Sequence, residues 1–419
     1  MAQKLKVSEV NEKKLISNIF YLLIVQFVNY LMPLVTLPFL TKMLSIEDFG
    51  KVILMYSVSI LALVVSEFGF NITGPYYVVK NIENKNKLNI FYNNVLVVKF
   101  LVSLAYCLLF ILLNYFFKIY NFSFFELIAI SFLIITQAFQ FSWYFQGIEK
   151  MKEITKASIF SKIFYFLGII IVIPFFKNAF TVIILYVLSQ IILAVFYQRS
   201  LKIENIYFGK KYIKFTKIKK IFLNNISFFI SRLAVIGYTM LNSMILGLNE
   251  GLKIVAIYGI AEKIYQVALG VLAPITQAFY PYMIKNKKFN LFSWFLIIGV
   301  IFLSLGCYIL SIVDEIIISL IFGEAYKDAS HILNYFYFLI IIVFLSMNIG
   351  HPLLGAIGKL KEVNYTVYIG FIIFILLLFF RGYSLNVLLQ NIIIVELMVL
   401  LIRLFYVIIA MKENRFIKV

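Results

Sequence analysis

Apolar runs of about 20 residues recur from one end of this chain to the other, each long enough to cross the hydrocarbon core of a bilayer. Twelve such runs fall at about 15–40, 52–74, 94–117, 124–146, 157–176, 178–198, 222–248, 254–284, 291–312, 330–350, 362–380 and 386–410. Of the 419 residues, 63% are hydrophobic and 14% charged, where a soluble domain carries about 25% charged residues. The expected fold is an all-α integral membrane protein of twelve transmembrane helices. The polar segment 1–14 precedes an apolar run too long for a signal-peptide core and without a small-residue cleavage site, so that run is expected to remain as the first helix.

The net charge of +19 does not point to nucleic acid, because the lysines sit in short loops between spans rather than in long basic tracts. Their distribution sets the orientation instead. With the N-terminus inside, 26 of the 38 basic residues are cytoplasmic. Seven are external, namely Lys42, Lys51, Lys118, Lys177, Lys253, Lys327 and Arg381. Both termini are therefore expected in the cytoplasm. The longest internal loop, 199–221, carries eight basic residues and reads as a solvated linker, with anionic lipid headgroups as its alternative target. It divides the chain into a six-helix lobe at 15–198 and another at 222–410, with a cytoplasmic tail at 411–419. Two such halves enter the membrane in the same direction, so any repeat between them is a parallel one. Lys51-Val-Ile-Leu-Met-Tyr56 and Lys253-Ile-Val-Ala-Ile-Tyr258 carry a faint trace of it.

Five basic residues lie within spans: Lys99, Lys162, Arg232, Lys263 and Arg403. A charge at mid-bilayer costs roughly 2.5–3.5 kcal/mol on insertion scales and marks a candidate functional position. Helical arithmetic at 100° per residue gathers polar side chains into stripes. Span 8 carries Glu262, Gln266, Gly270, Ala273 and Gln277, with Lys263 beside them; span 7 carries Asn225, Arg232, Thr239 and Ser243. Span 1 carries Asn18, Gln26, Asn29, Pro33 and Thr36, and span 2 carries Tyr56, Glu67, Asn71 and Gly74. Such residues also glue transmembrane helices together, but four stripes in matching places favour a hydrated cavity between two lobes. Arginine is the more telling choice: the chain has 33 lysines and 5 arginines, yet Arg232 and Arg403 are both inside spans. A planar guanidinium forks onto phosphate oxygens, and pairing with a glutamate inside the bundle is its plainer use. Lys99 and Lys162 lie within snorkelling reach of the expected cytoplasmic surface. Glu396 and Arg403, seven residues apart on one helical face, have each other or their neighbours as partners. Cys107 and Cys307 are isolated, as are His331 and His351, so neither a disulfide framework nor a metal site is expected.

The run SFFISRLAVIGYTMLNSMILG followed by YGIAEKIYQVALGVLAPITQAFYPYM resembles the polysaccharide-exporter, or O-antigen flippase, family of the multidrug/oligosaccharidyl-lipid/polysaccharide exporter superfamily. NYLMPLVTLPFLTKMLSIEDFGKVILMYS, SEFGFNITGPYYVVKN and HPLLGAIGKLKEVN agree with it, so the resemblance covers nearly the whole chain. Glu67 stands where relatives often have aspartate, which keeps the charge.

The resemblance implies two six-helix lobes around a central cavity and a bacterial cytoplasmic-membrane location. It implies a substrate of undecaprenyl diphosphate carrying an oligosaccharide, flipped to the outer leaflet by alternating access, for O-antigen, capsule or another glycan. Arg232 and Lys263 would bind the diphosphate; Gln26, Asn29, Asn71, Thr239 and Gln266 would line the cavity; Glu67, Glu262 and Glu396 are the candidates for ion coupling. A monomer without cofactor is expected, in contact with membrane lipid, with glycan polymerase and chain-length regulator proteins as further partners. Drug/cation antiport is the alternative within the superfamily. A membrane-embedded glycan polymerase or acyltransferase fits less well, because the longest external loop, 313–329, is short.

Overall fold

The computed structural model describes residues 2–117 and 120–412, with side chains for 17, 18, 20–116, 120–280 and 282–412. Lys118, the tail from 413 onward and the side chains of the expected 1–14 segment lie outside the described residues. Bilayer lipid offers no partner for a bare peptide group, and the chain answers by being helical almost throughout. In order the helices are α1 Ala2–Met43, α2 Ile46–Glu67, α3 Phe70–Lys80, α4 Lys85–Phe117, α5 Phe124–Thr136, α6 Ser142–Gly147, α7 Met151–Val172 and α8 Ala179–Ile203. They continue as α9 Phe215–Thr239, α10 Asn242–Asn249, α11 Gly251–Asn286, α12 Phe289–Phe322, α13 Ala329–Asn348, α14 Leu360–Arg381 and α15 Leu385–Lys412. Among the described residues, twelve stretches are long and apolar enough to span a membrane, one for each expected span.

Two spans depart from the continuous helices that the stripe arithmetic assumed. Span 2 breaks between α2 and α3, where Phe68 and Gly69 take φ of 45° and 83°. Span 7 ends at Thr239, and α10 starts a new helix at Asn242. A stripe computed across either break therefore does not describe one helical face. Asn71 and Gly74 sit on a different helix from Glu67, and Ser243 on a different helix from Arg232.

The chain forms two compact units. One comprises Met1–Thr36 and Met55–Leu233, the other Leu37–Leu54 and Ala234–Val419. The first is built around an aromatic-rich core in which Phe68, Phe91, Tyr92, Phe141, Trp143, Tyr144 and Phe145 are buried. There α3 and α6 cross closely because glycine makes room: a Cβ on Gly74 would lie 2.5 Å from Trp143 Cε3, and one on Gly147 would lie 2.7 Å from Val78 Cβ. In the second unit the two segments of the faint repeat meet. A Cβ on Gly50 would lie 2.2 Å from Leu252 O, and one on Gly259 would lie 2.6 Å from Ile53 Cγ2. That close approach ties the start of α2 to the first part of α11.

The basic loop 199–221 is not the freely solvated linker that its composition suggests. Three asparagines of α4, each less than 5% exposed, hold its backbone. Asn89 accepts from Tyr207 N (3.0 Å) and donates to Asn205 O (2.9 Å). Asn93 accepts from Gly209 N (2.8 Å) and donates to Tyr207 O (3.0 Å). Asn94 accepts from Lys214 N (2.9 Å) and donates to Tyr212 O (2.9 Å). A side-chain amide offers one acceptor and two donors, so each asparagine does for this loop what a neighbouring strand would do.

Candidate functional site

The break after α2 positions the principal charged pair of the first unit. Phe68 carries a positive φ that a side chain normally resists, and its ring stacks on Phe222 and Phe229 at 4.7 and 4.6 Å. Gly69 follows with its own left-handed φ, and a Cβ there would lie 2.7 Å from Phe228 Cβ. Glycine thus allows both the turn and the approach of α9. Glu67, the last residue of α2, is brought against Arg232 on α9, Oε2 to Nη2 3.4 Å. One turn beyond the break, Thr73 donates to Asn225 Oδ1 (2.6 Å). The glutamate side chain is 12% exposed and the arginine 35%. The carboxylate is thus desolvated and paired, while the guanidinium, with five N–H donors, remains partly accessible.

The two lysines at membrane depth in this unit, Lys99 and Lys162, are tied to neighbours. Lys99 does not snorkel: it is fully buried, donates to Gln140 O and lies 4.6 Å from the Phe141 ring centre. The ring face and the carbonyl take the place of water around the ammonium. Lys162 reaches Asn29 Oδ1 at 2.5 Å. Gln26 and Asn29 are exposed on α1, and Asn71 is half-buried on α3.

The second unit holds two charged groups on separate elements. On α11, Glu262 is 4% exposed and accepts from Ser243 Oγ of α10 (3.0 Å). Beside it Lys263 donates to Gln266 Oε1 (2.9 Å). Thr239, at the end of α9, turns its hydroxyl to Val235 O (2.8 Å). Glu396 and Arg403 on α15 line a cavity of about 550 Å³ together with Gln277, Tyr280 and His351. Arg403 is held on three sides, by Ser346 O (2.7 Å), Ser346 Oγ (2.8 Å) and Thr366 Oγ1 (3.1 Å). Its hydrogen bonds thus run to neighbouring helices. Among the described residues no three His, Cys, Asp or Glu side chains converge as a metal site would require.

Residues 15–287 match the profile of the polysaccharide biosynthesis protein family. The chain belongs to that family. This polysaccharide biosynthesis protein is 26% identical over 373 residues to a Shigella dysenteriae protein named "Putative O-antigen transporter", covering 86% of this chain and 91% of that one. It is 28% identical over 293 residues to an Escherichia coli (strain K12) protein of the same name, 67% of each chain. Among solved structures it is similar to the lipid II flippase MurJ in an inward closed conformation, with a TM-score of 0.72 at 16% identity over 93% of this chain and 87% of that one. An inward-facing multidrug resistance MATE family transporter of the MOP superfamily gives a TM-score of 0.65 at 12% identity, covering 94% and 99%. At such identities the likeness shows the fold, an all-α, twelve-span, two-lobe membrane protein.

In this polysaccharide biosynthesis protein the expected site residues fall into separate groups. Arg232 and Glu67 belong to the first unit, while Lys263, Gln266, Glu262 and Glu396 belong to the second. The structure pairs Glu67 with Arg232, Glu262 with Ser243 and Lys263 with Gln266. Sequence reasoning did not foresee the Arg403 cradle of Ser346 and Thr366, nor the chain from Lys99 through Gln140 to Gln190 (Gln140 Nε2 to Gln190 Oε1, 3.1 Å). Their members lie on different elements, so no spacing within one span could have revealed them.

Proposed function

We propose that this protein is a flippase for an oligosaccharide carried on undecaprenyl diphosphate, moving it across the cytoplasmic membrane by alternating access. The observation that carries the reading is the partly accessible Arg232 held against the buried Glu67 at membrane depth, in a chain of this family. A guanidinium paired on one edge keeps its other N–H donors for phosphate oxygens, and a bidentate phosphate contact is what arginine offers over lysine. Lys263 adds the second positive charge toward the diphosphate. Gln26, Asn29, Asn71, Thr239 and Gln266 supply hydrogen bonds along the sugar's path.

The carboxylates Glu67, Glu262 and Glu396 couple the movement to an ion gradient, where moving one elementary charge through 100 mV supplies about 2.3 kcal/mol. Both termini face the cytoplasm in this scheme. The relatives named for O-antigen transport support the substrate class. The reaction requires no covalent chemistry, so the protein acts as a transporter rather than an enzyme.

The test is complementation. Cells lacking the protein should accumulate lipid-linked oligosaccharide on the inner leaflet and lose the surface glycan. Arg232→Ala at unchanged membrane abundance should not restore it. Full export by that variant would remove Arg232 from the site, and altered drug efflux with a normal surface glycan would favour drug/cation antiport instead.

A further inference from the structure

The first unit also contains a cationic pocket that runs from the span ends carrying Lys87 and Lys217 to Thr73 and Asn225, the hydrogen-bonded pair next to the Glu67–Arg232 site. Its volume is about 520 Å³, and its lining includes Lys87, Lys217, Lys220, Tyr76, Tyr77 and Asn224. Lys87 is the third residue of α4 and Lys217 the third of α9, so both stand where a span leaves the bilayer. All three lysines are exposed, and among the described residues none has a carboxylate within ion-pairing distance. Three unneutralised ammonium groups around one hollow repel one another unless an anion joins them. Tyr76 is 71% exposed, and Tyr77 stacks on Phe91 at 3.9 Å, which gives the hollow the aromatic rim found at the headgroup level of membranes.

A second, independent observation says that the arrangement is built rather than incidental. The asparagine clamp ends on Lys214 N, one residue before α9 begins, and so fixes the entry of the helix that carries Lys217 and Lys220. Lys87 rises from α4, the helix that supplies the three clamping asparagines. The two sides of the pocket are therefore held in register by buried hydrogen bonds, although the lysines themselves are solvent-facing. A loop serving only to carry topogenic charge has no need of a rigid backbone.

We infer that this pocket binds the phosphate headgroup of a membrane lipid at the bilayer surface. The lysines contact the phosphate oxygens, the tyrosines lie against the glycerol or prenyl portion, and Asn224 donates to whatever oxygen projects deepest. The same chemistry admits an ordinary anionic phospholipid and a polyprenyl diphosphate. The first would make the pocket an anchor, the second a loading station beside Arg232.

The experiment uses the full chain in nanodiscs of phosphatidylcholine, with phosphatidylglycerol added in one arm and undecaprenyl diphosphate in the other, and reads retained lipid by native mass spectrometry. Two triple variants are compared, Lys87→Gln/Lys217→Gln/Lys220→Gln in the pocket and Lys210→Gln/Lys211→Gln/Lys219→Gln on the same loop but outside the lining. A lysine near an anionic surface contributes roughly fivefold to binding, so losing three predicts a drop of ~100-fold. The pocket variant should show that loss in at least one arm while the control stays near wild type, and the arm that responds identifies the lipid. No preference over phosphatidylcholine in either arm, or equal loss in both variants, would overturn the assignment.

Discussion

Asn93→Ala is the sharpest probe of the clamp that orders the basic loop. The asparagine is fully buried, and the substitution removes two hydrogen bonds to the loop, from Gly209 N and to Tyr207 O. Its third bond, to Asn89 O within α4, is redundant with the helix ladder. A typical intramolecular hydrogen bond contributes about 1 kcal/mol net, so the loop loses about 2 kcal/mol of local stability. That is about a 30-fold rise in the opened population, since 1.4 kcal/mol is tenfold. Amide hydrogen exchange reports this population directly when opening and closing are fast. Exchange at Gly209 should accelerate by at least tenfold, a floor set below the ~30-fold estimate to allow for partial solvation. The Tyr207 and Lys214 amides are bonded to Asn89 and Asn94 and should change much less. Unchanged exchange at Gly209, or equal acceleration along the whole loop, would refute the bond-by-bond account.

Gly74→Ala places a Cβ 2.5 Å from the buried ring of Trp143 and should cost about 1–3 kcal/mol by overpacking, read as a lowered thermal midpoint. Gly306→Ala, in α12 with nothing within 4 Å of its added Cβ, should be neutral or raise stability by up to about 1 kcal/mol. Arg403→Ala strips Ser346 and Thr366 of their partner and opens a hole in the second unit, so its midpoint should fall by the equivalent of about 3 kcal/mol. Arg403→Lys should recover only part of that, because one ammonium cannot occupy both the Nε and the Nη1 positions.

The twelve spans were legible because bilayer thickness writes itself into the chain as apolar runs of fixed length. The interruptions were not. Phe68 and Gly69 sit in an apolar run, and no local signal separates a glycine that breaks a span from one that lets helices approach, as Gly74 does. Thr239-Met240-Leu241 carries neither glycine nor proline, yet α9 ends there and the hydroxyl of Ser243 turns to Glu262. Charged positions were equally visible; their partners were not. Arg232 could have faced a ligand or a glutamate, and only the bend after α2 decides that Glu67 reaches it. The composition of 199–221 suggested a solvated loop, because the asparagines that hold it lie more than 100 residues earlier in the sequence.

The central claim concerns translocation, and a reconstituted system tests it most directly. The purified chain is placed in liposomes carrying a fluorescent oligosaccharide on a polyprenyl diphosphate, with an ion gradient imposed in either direction, and a membrane-impermeant quencher then counts the label in the outer leaflet. The account predicts that the label exchanges between leaflets in wild-type vesicles but remains in place in protein-free vesicles and with Arg232→Ala. Label that stays put in wild-type vesicles holding correctly folded protein would contradict it.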